Sequence, residues 1–238
     1  MSLKGKKVVV IGASSGMGLA IVRAATEAGA AVVAVARNRE NLERAIRNEK
    51  LTATLFPADI GDEKAMETLF KEVGPYDHLV TTAASLAYAP IQQFDTAAAQ
   101  RIISSKLLGP FFAAKYGSRQ ISKQGSITFF SGVAAWKPSE GASMVAAVNG
   151  ALAAFARALA VELAPVRVNA ISPGIVDTPS WDAMPEPQRR SFFQAMSEKL
   201  PARRTGRSED LADAALFLMN NGFTTGIVLH VEGGHTLV

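Results

Sequence analysis

Gly12, Gly16 and Gly18 stand in the order G-x3-G-x-G within "IGASSGMG", directly after the apolar run "KVVVIG" and directly before "GLAIVRAATEAGA". Glycines at such a junction let the backbone turn sharply and approach a pyrophosphate, whose charge is met by free amides and by the positive end of the following helix. Three glycines also ease any tight turn; their place between a strand pattern and a helix pattern is what points to a phosphate. Ser14 and Ser15 add hydroxyl donors to the same oxygens, and Met17 lies within the turn. A second apolar run, "VAVARN", ends in Ala36 and Arg37, where a carboxylate would grip an adenosine 2′-hydroxyl. A guanidinium there meets a 2′-phosphate bidentately, so NADP(H) is expected in preference to NAD(H); the competing reading is a plain surface arginine at the start of a helix. Asp59, in "PADIGD", has two readings of equal weight. It is an acceptor for an adenine amino group, or the N-cap of the next helix, a task for which Asp62 competes.

Holding these groups in place requires a scaffold, and its pattern repeats along the chain. "AAVVAVA" reads as a strand, Arg39–Asn48 as a helix, "TATLFPA" as a strand, Glu63–Val73 as a helix and "HLVTTAA" as a strand. There follow a helical segment over 95–118, the strand "SITFFS", an alanine-rich helix over 141–163, the strand "VRVNAIS", a helix over 208–219 and the strand "GIVLHV". Strands apolar throughout and alternating with helices imply a parallel sheet covered on both faces. The expected architecture is a single α/β domain over 1–238, with a doubly wound sheet of about seven strands. The stretch 179–205 breaks the alternation with prolines and scattered aromatics and is expected to form a variable insertion over the sheet edge and the cleft.

Composition narrows the classes. At 238 residues, 48% hydrophobic and 19% charged, the chain suits one domain with a substantial core. The absence of cysteine excludes disulfides, thiolate catalysis and cysteine-ligated metals, and a reducing cytoplasm is the simplest compartment. The net charge of +4 is spread along the sequence with no recognisable reading element, so no nucleic-acid partner is expected. The apolar run after Lys7 stops at Ile11 without a cleavage site, and the alanine-rich helix carries Arg157 and Glu162, so neither a secretory signal nor a membrane span is expected. His78, His230 and His235 have no metal-ligand spacing.

Taken together, "IGASSGMG", the "DI" of Asp59 and Ile60, "SPGIVDTP" and "FLMNNGFTTGIVLHVEGG" resemble the motifs of the short-chain dehydrogenases/reductases, and the resemblance covers nearly all of the chain. It implies a Rossmann-type fold and hydride exchange between a nicotinamide and a carbonyl or alcohol. It assigns Ile60 and Ala83 to the cofactor, and Pro173, Gly174, Val176 and Thr178 to its nicotinamide end. It also implies a homodimer or homotetramer, since the family's matching helix packs across subunits and this one carries Ala146, Ala147, Gly150, Ala153 and Ala154.

The family's proton chemistry needs a serine, a tyrosine, a lysine four residues later and an asparagine on a neighbouring helix. "GALAAFARALAVELAP" fixes the register at one side and "SITFFSGVAA" at the other. Gly132 then holds the serine position, Val145 the tyrosine position, Asn149 the lysine position, where a nicotinamide ribose would be gripped, and Lys106 the asparagine position. "TTAA" also replaces the usual Asn-Asn-Ala-Gly. The cofactor half of the pattern survives while the chemical half is altered, which implies impaired or non-standard hydride transfer. Two alternatives follow: a non-catalytic NADP(H)-dependent sensor, scaffold or partner subunit, or an active reductase of a small apolar carbonyl with relocated groups. In the second, Lys106 supplies an ammonium and Tyr88, Ser143 or water the proton; against it, Lys106 reads equally as a lysine snorkelling to solvent. Trp136, Trp181, Phe192, Phe193 and Met196 line an apolar pocket or only seal the insertion.

Overall fold

β1 (Lys7–Ile11) is buried from Val8 to Ile11 because it has parallel neighbours on both sides and helices over both faces. The computed structural model describes residues 2–238. From β1 the chain turns into α1 (Gly16–Glu27), then runs through β2 (Ala31–Ala36), α2 (Arg39–Asn48), β3 (Thr54–Pro57), α3 (Glu63–Val73) and β4 (Tyr76–Thr81). α4 (Thr96–Ile103) passes through a π-helical turn at Ser104–Leu108 into α5 (Gly109–Gly117), so the segment expected as one helix carries a widened turn at its middle. Next come β5 (Ile121–Phe130), α6 (Ser143–Glu162), β6 (Arg167–Pro173), the short β7 (Val176–Asp177), α7 (Glu186–Lys199), the short β8 (Gly206–Arg207), α8 (Ser208–Asn220) and β9 (Val228–Val231).

The main sheet has seven parallel strands in the order β3-β2-β1-β4-β5-β6-β9. Alternate residues of β1 serve two cores. Val8 and Val10 face α1 and α8 with Ile21, Val22 and Leu218, while Val9 and Ile11 face α3, α5 and α6 with Met66, Ala113 and Leu152. The chain leaves β1 toward β2 and later returns on its other side as β4. This reversal opens a crevice at the carboxyl ends of β1 and β4, which is where ligands of open α/β sheets bind.

The structure adds detail to one expectation and corrects another. The stretch 179–205 contains the 14-residue α7, because Pro185 sits at its N-cap and Pro187 in its first turn, positions where a missing N–H costs nothing. α6, in turn, is long and apolar enough by length and composition to cross a bilayer, which its charges had seemed to exclude. Its face of Val148, Leu152, Ala156 and Leu159 is instead buried within the protein.

Far from the crevice, His78 on β4 is 3% exposed and its Nδ1 lies 2.9 Å from Ser126 Oγ. Burial lowers its pKa to about 4; Asp77 opposes the shift, and Arg167 and Lys6 add to it. The unfolded chain therefore binds a proton that the folded one refuses. Stability is complete above the unfolded value of about 6.5 and falls as the pH drops toward 4, by about 3 kcal/mol from this group. Urea unfolding at pH 7 and pH 4 should show that loss, and His78→Asn should flatten it.

Candidate active site

The glycine turn is built so that side chains would not fit. Gly12 has φ +98° and Gly16 φ +52°, left-handed values that favour glycine. A Cβ on Gly12 would lie 2.5 Å from Thr82 Oγ1 and 2.6 Å from Ala83 N, and one on Gly18 would fall on the Gly12 carbonyl oxygen. Ser15 is the N-cap of α1, yet its side chain makes no cap bond, and the first turn carries no acid. The amides at that helix end thus open on the crevice, with the positive pole of α1 behind them.

The crevice is a cleft of about 270 Å³. Gly12, Ser14, Ser15, Gly16, Met17 and Gly18 form its floor, Arg37, Asp59 and Ile60 one end, and Ala83 and Thr178 the other. Arg37 is exposed and makes no ion pair among the described residues. Asp62 takes the cap of α3, accepting from the Lys64 and Ala65 amides at 2.9 and 3.1 Å. Asp59 is thereby left out of the capping contest; its Oδ1 accepts from Gly61 N–H at 2.9 Å. Thr82, noted in the sequence only as a departure, donates to the Ile11 and Gly12 carbonyls at 3.2 Å each and ties β4 to the glycine turn. A hydroxyl at a strand end beside a glycine turn was the available signal.

Asn149, Pro173, Gly174 and Val176 do not line this cleft. Pro173 and Val176 are buried, and Gly174 backs onto Glu232, whose Cα a Cβ would meet at 2.7 Å. Asn149 lies deeper, 2% exposed, with Oδ1 lacking a partner. Its Nδ2 would sit 2.7 Å from a Cβ on Gly132. Gly132 itself is extended, with φ 170°, so Asn149 and not the backbone requires a glycine there. Ser131 Oγ donates to the Asn149 carbonyl at 2.9 Å. Val145 is 3% exposed and packs with Ile102 and Val148, flanked by Ala87, Phe94 and Met144.

Lys106 does not snorkel. It lies in the π-helical turn, 7% exposed, and its Nζ donates to the carbonyls of Phe130 at 3.1 Å and Ser131 at 2.9 Å. Burial pulls its pKa down to about 8. Tyr88 and Ser143 are exposed, and neither lines the cleft. The aromatic residues of the 179–205 segment pack on one another: Trp181 meets Phe192 and Phe193 with ring centres 5.0 and 5.7 Å apart, while Met196 is half-buried. Trp181 Nε1 donates to the Val176 carbonyl at 2.9 Å, and Arg189 bridges Asp177 and Asp182. Trp136 stands edge-on to His230 at 4.6 Å.

A doubly wound parallel sheet with a glycine turn and an open helix N-terminus at its switch point defines a Rossmann-type fold. Residues 12–236 match the family described as enoyl-(acyl carrier protein) reductase. A short-chain dehydrogenase/reductase of Stachybotrys chlorohalonatus is 33% identical over 98% of both chains. Cis-4-hydroxycyclohexanecarboxylate dehydrogenase of Sinomonas cyclohexanicum is 34% identical over 97% of this chain and 96% of its own. Among solved structures, a small-chain dehydrogenase in complex with NADPH superposes with a TM-score of 0.87 at 33% identity, covering 98% of this chain and 99% of that one. The chain belongs to the short-chain dehydrogenase/reductase family of oxidoreductases.

Proposed function

We propose that this protein binds NADP(H) in the cleft and lacks the family's serine–tyrosine–lysine–asparagine route for moving the substrate's proton, so that its hydride transfer is non-standard. The observation that carries the reading is the contrast between the cleft and the altered positions outside it. At the cleft, Gly12 and Gly18 pack where a Cβ would strike Thr82, Ala83 and the Gly12 carbonyl, α1 presents open amides and Arg37 makes no ion pair among the described residues. Outside it, Val145 is closed into an apolar cluster and Gly132 lies against Asn149. The residues fit the dinucleotide: the glycine turn, Ser14 and Ser15 for the pyrophosphate, Arg37 for a 2′-phosphate, Asp59 and Ile60 for adenine, Thr178 toward the nicotinamide. Bound there, the dinucleotide supplies or accepts a hydride.

Calorimetric titration with NADPH and NADH separately is the test. NADPH should bind more tightly, and Arg37→Ser should weaken NADPH about 10- to 100-fold while leaving NADH unchanged, the range for charge-assisted bonds to a phosphate. Equal affinities in the wild type would sink the NADP(H) assignment. A second reading, a dinucleotide-dependent sensor without turnover, draws on the fact that none of the four altered positions lines the cleft. It expects binding with no NADPH consumption. In either case the 179–205 segment covers the substrate side, and the exposed Leu108, Phe111 and Val161 on the α5 and α6 side support a homodimer or homotetramer.

A further inference from the structure

The sequence holds two Asn-Gly dipeptides, Asn149–Gly150 and Asn221–Gly222. In such a pair the glycine nitrogen can attack the asparagine side-chain carbonyl carbon, because the glycine has no side chain to block the approach and its backbone turns freely. The attack needs the peptide between the two residues to swing its nitrogen toward Cγ, so the fold decides which pair reacts.

At 149–150 the peptide cannot swing. Both residues lie inside α6, where the helical ladder fixes them, and the Asn149 carbonyl also accepts from Ser131 Oγ at 2.9 Å. Asn149 is buried as well. At 221–222 the peptide is free. Asn221 is the C-cap of α8, and neither its carbonyl nor the Gly222 N–H has a hydrogen-bond partner among the described residues. Gly222 is exposed, with nothing within 4 Å of where a Cβ would lie. Asn221 Oδ1 accepts from Phe223 N–H at 2.9 Å, which folds the carboxamide back across Gly222 and draws electron density from Cγ.

We propose that Asn221 is a site of spontaneous covalent modification, converting through a succinimide to aspartate and isoaspartate, while α6 protects Asn149. The Gly222 nitrogen bonds to Asn221 Cγ and gives up its proton, and the side-chain nitrogen leaves as ammonia. Water then adds to one of the two ring carbonyls, and the bond from that carbon to the ring nitrogen breaks. Breaking at Cγ gives aspartate. Breaking at the main-chain carbon gives isoaspartate, whose chain runs through the side chain and is one carbon longer. Asn221 does not line the cleft, and the reaction needs no dinucleotide.

The longer chain falls where there is little room for it. Upstream, Arg167 donates to the carbonyls of Leu218 and Met219. Downstream, Asn169 Nδ2 donates to the Thr224 carbonyl at 2.9 Å and Gly226 N–H to the Val168 carbonyl at 2.8 Å. Only 220–223 lies between these anchors, so the extra carbon strains the joint between α8 and β9.

The test incubates the full chain at mildly alkaline pH, folded and in urea, and follows tryptic peptides by mass spectrometry. Asn221 falls in the peptide 208–238 and Asn149 in 124–157, and fragmentation separates Asn221 from Asn220. In the folded protein Asn221 should convert at least about tenfold faster than Asn149, whose reaction waits on the opening of α6. In urea the two rates should converge. Gly222→Val, whose side chain has open space but crowds the attacking nitrogen, should suppress conversion at 221; the wild-type comparison decides without it if that variant does not fold. Protein carrying isoaspartate, separated from the unmodified form, should unfold at a lower temperature. No conversion of Asn221 in the folded protein, conversion of Asn149 at the same rate, or an unchanged rate in a folded Gly222→Val would each overturn the proposal. Equal unfolding temperatures would overturn the strain at the joint.

Discussion

Gly18→Ala is expected to cost the protein about 2–4 kcal/mol and to abolish dinucleotide binding. The new Cβ would fall on the Gly12 carbonyl oxygen, with Thr82 Oγ1 only 2.6 Å away. Overpacking usually costs about 1–3 kcal/mol because side chains can rotate aside, but a main-chain oxygen at a strand end cannot. Relief requires α1 to lift from the end of β1, and lifting it withdraws the amides that face the cleft. Gly150→Ala is the control, since nothing lies within 4 Å of a Cβ at this exposed site on α6. It should stabilise by about 0.5–1 kcal/mol, the helix propensity difference. Urea unfolding and NADPH titration on both variants check the pair. A well-folded Gly18→Ala protein that binds NADPH normally would remove the glycine turn from the site.

The same turn shows why some of the molecule was legible in its sequence. Apolar runs and amphipathic segments alternate because each strand is buried on two faces and each helix on one, so the order of elements and the seven-stranded sheet follow from local composition. Arg39–Asn48 and Glu63–Val73 emerge at the expected residues because Asn38 and Asp62 cap them from the side chain. What was not legible depends on contacts distant in sequence. That Lys106 is buried and not snorkelling is decided by two carbonyls 24 and 25 residues away and by the π-helical turn that aims it at them. The glycine at 132 is dictated by an amide 17 positions on. Thr82 matters only because the ends of β1 and β4 lie side by side. The prolines around α7 left that helix unread because the same residue ends a helix from within and begins one from its first turn.

Restoring the missing chemistry is expected to have the largest effect on activity, and the geometry dictates the order of the steps. Gly132→Ser alone should give nothing, since its Cβ meets Nδ2 of the buried Asn149 at 2.7 Å. Gly132→Ser with Val145→Tyr and Asn149→Lys removes that clash and supplies a proton donor, and a positioned general acid is worth about 10²- to 10⁴-fold. The triple variant still carries Lys106, however. A lysine at 149 would approach Gly132 from α6 while Lys106 holds Ser131 from the π-helical turn, placing two ammonium groups around one peptide in a buried site. Like charges held that close in low dielectric drive one another neutral, so the second lysine would lose the charge that lowers the tyrosine's pKa. Adding Lys106→Asn relieves the conflict. Against an unactivated cyclic ketone, the wild type should show no NADPH oxidation above background, the triple variant a trace and the quadruple variant at least about tenfold more than the triple. A quadruple variant that folds and binds NADPH yet reduces no ketone would show that positions 106, 132, 145 and 149 do not surround the reacting carbonyl.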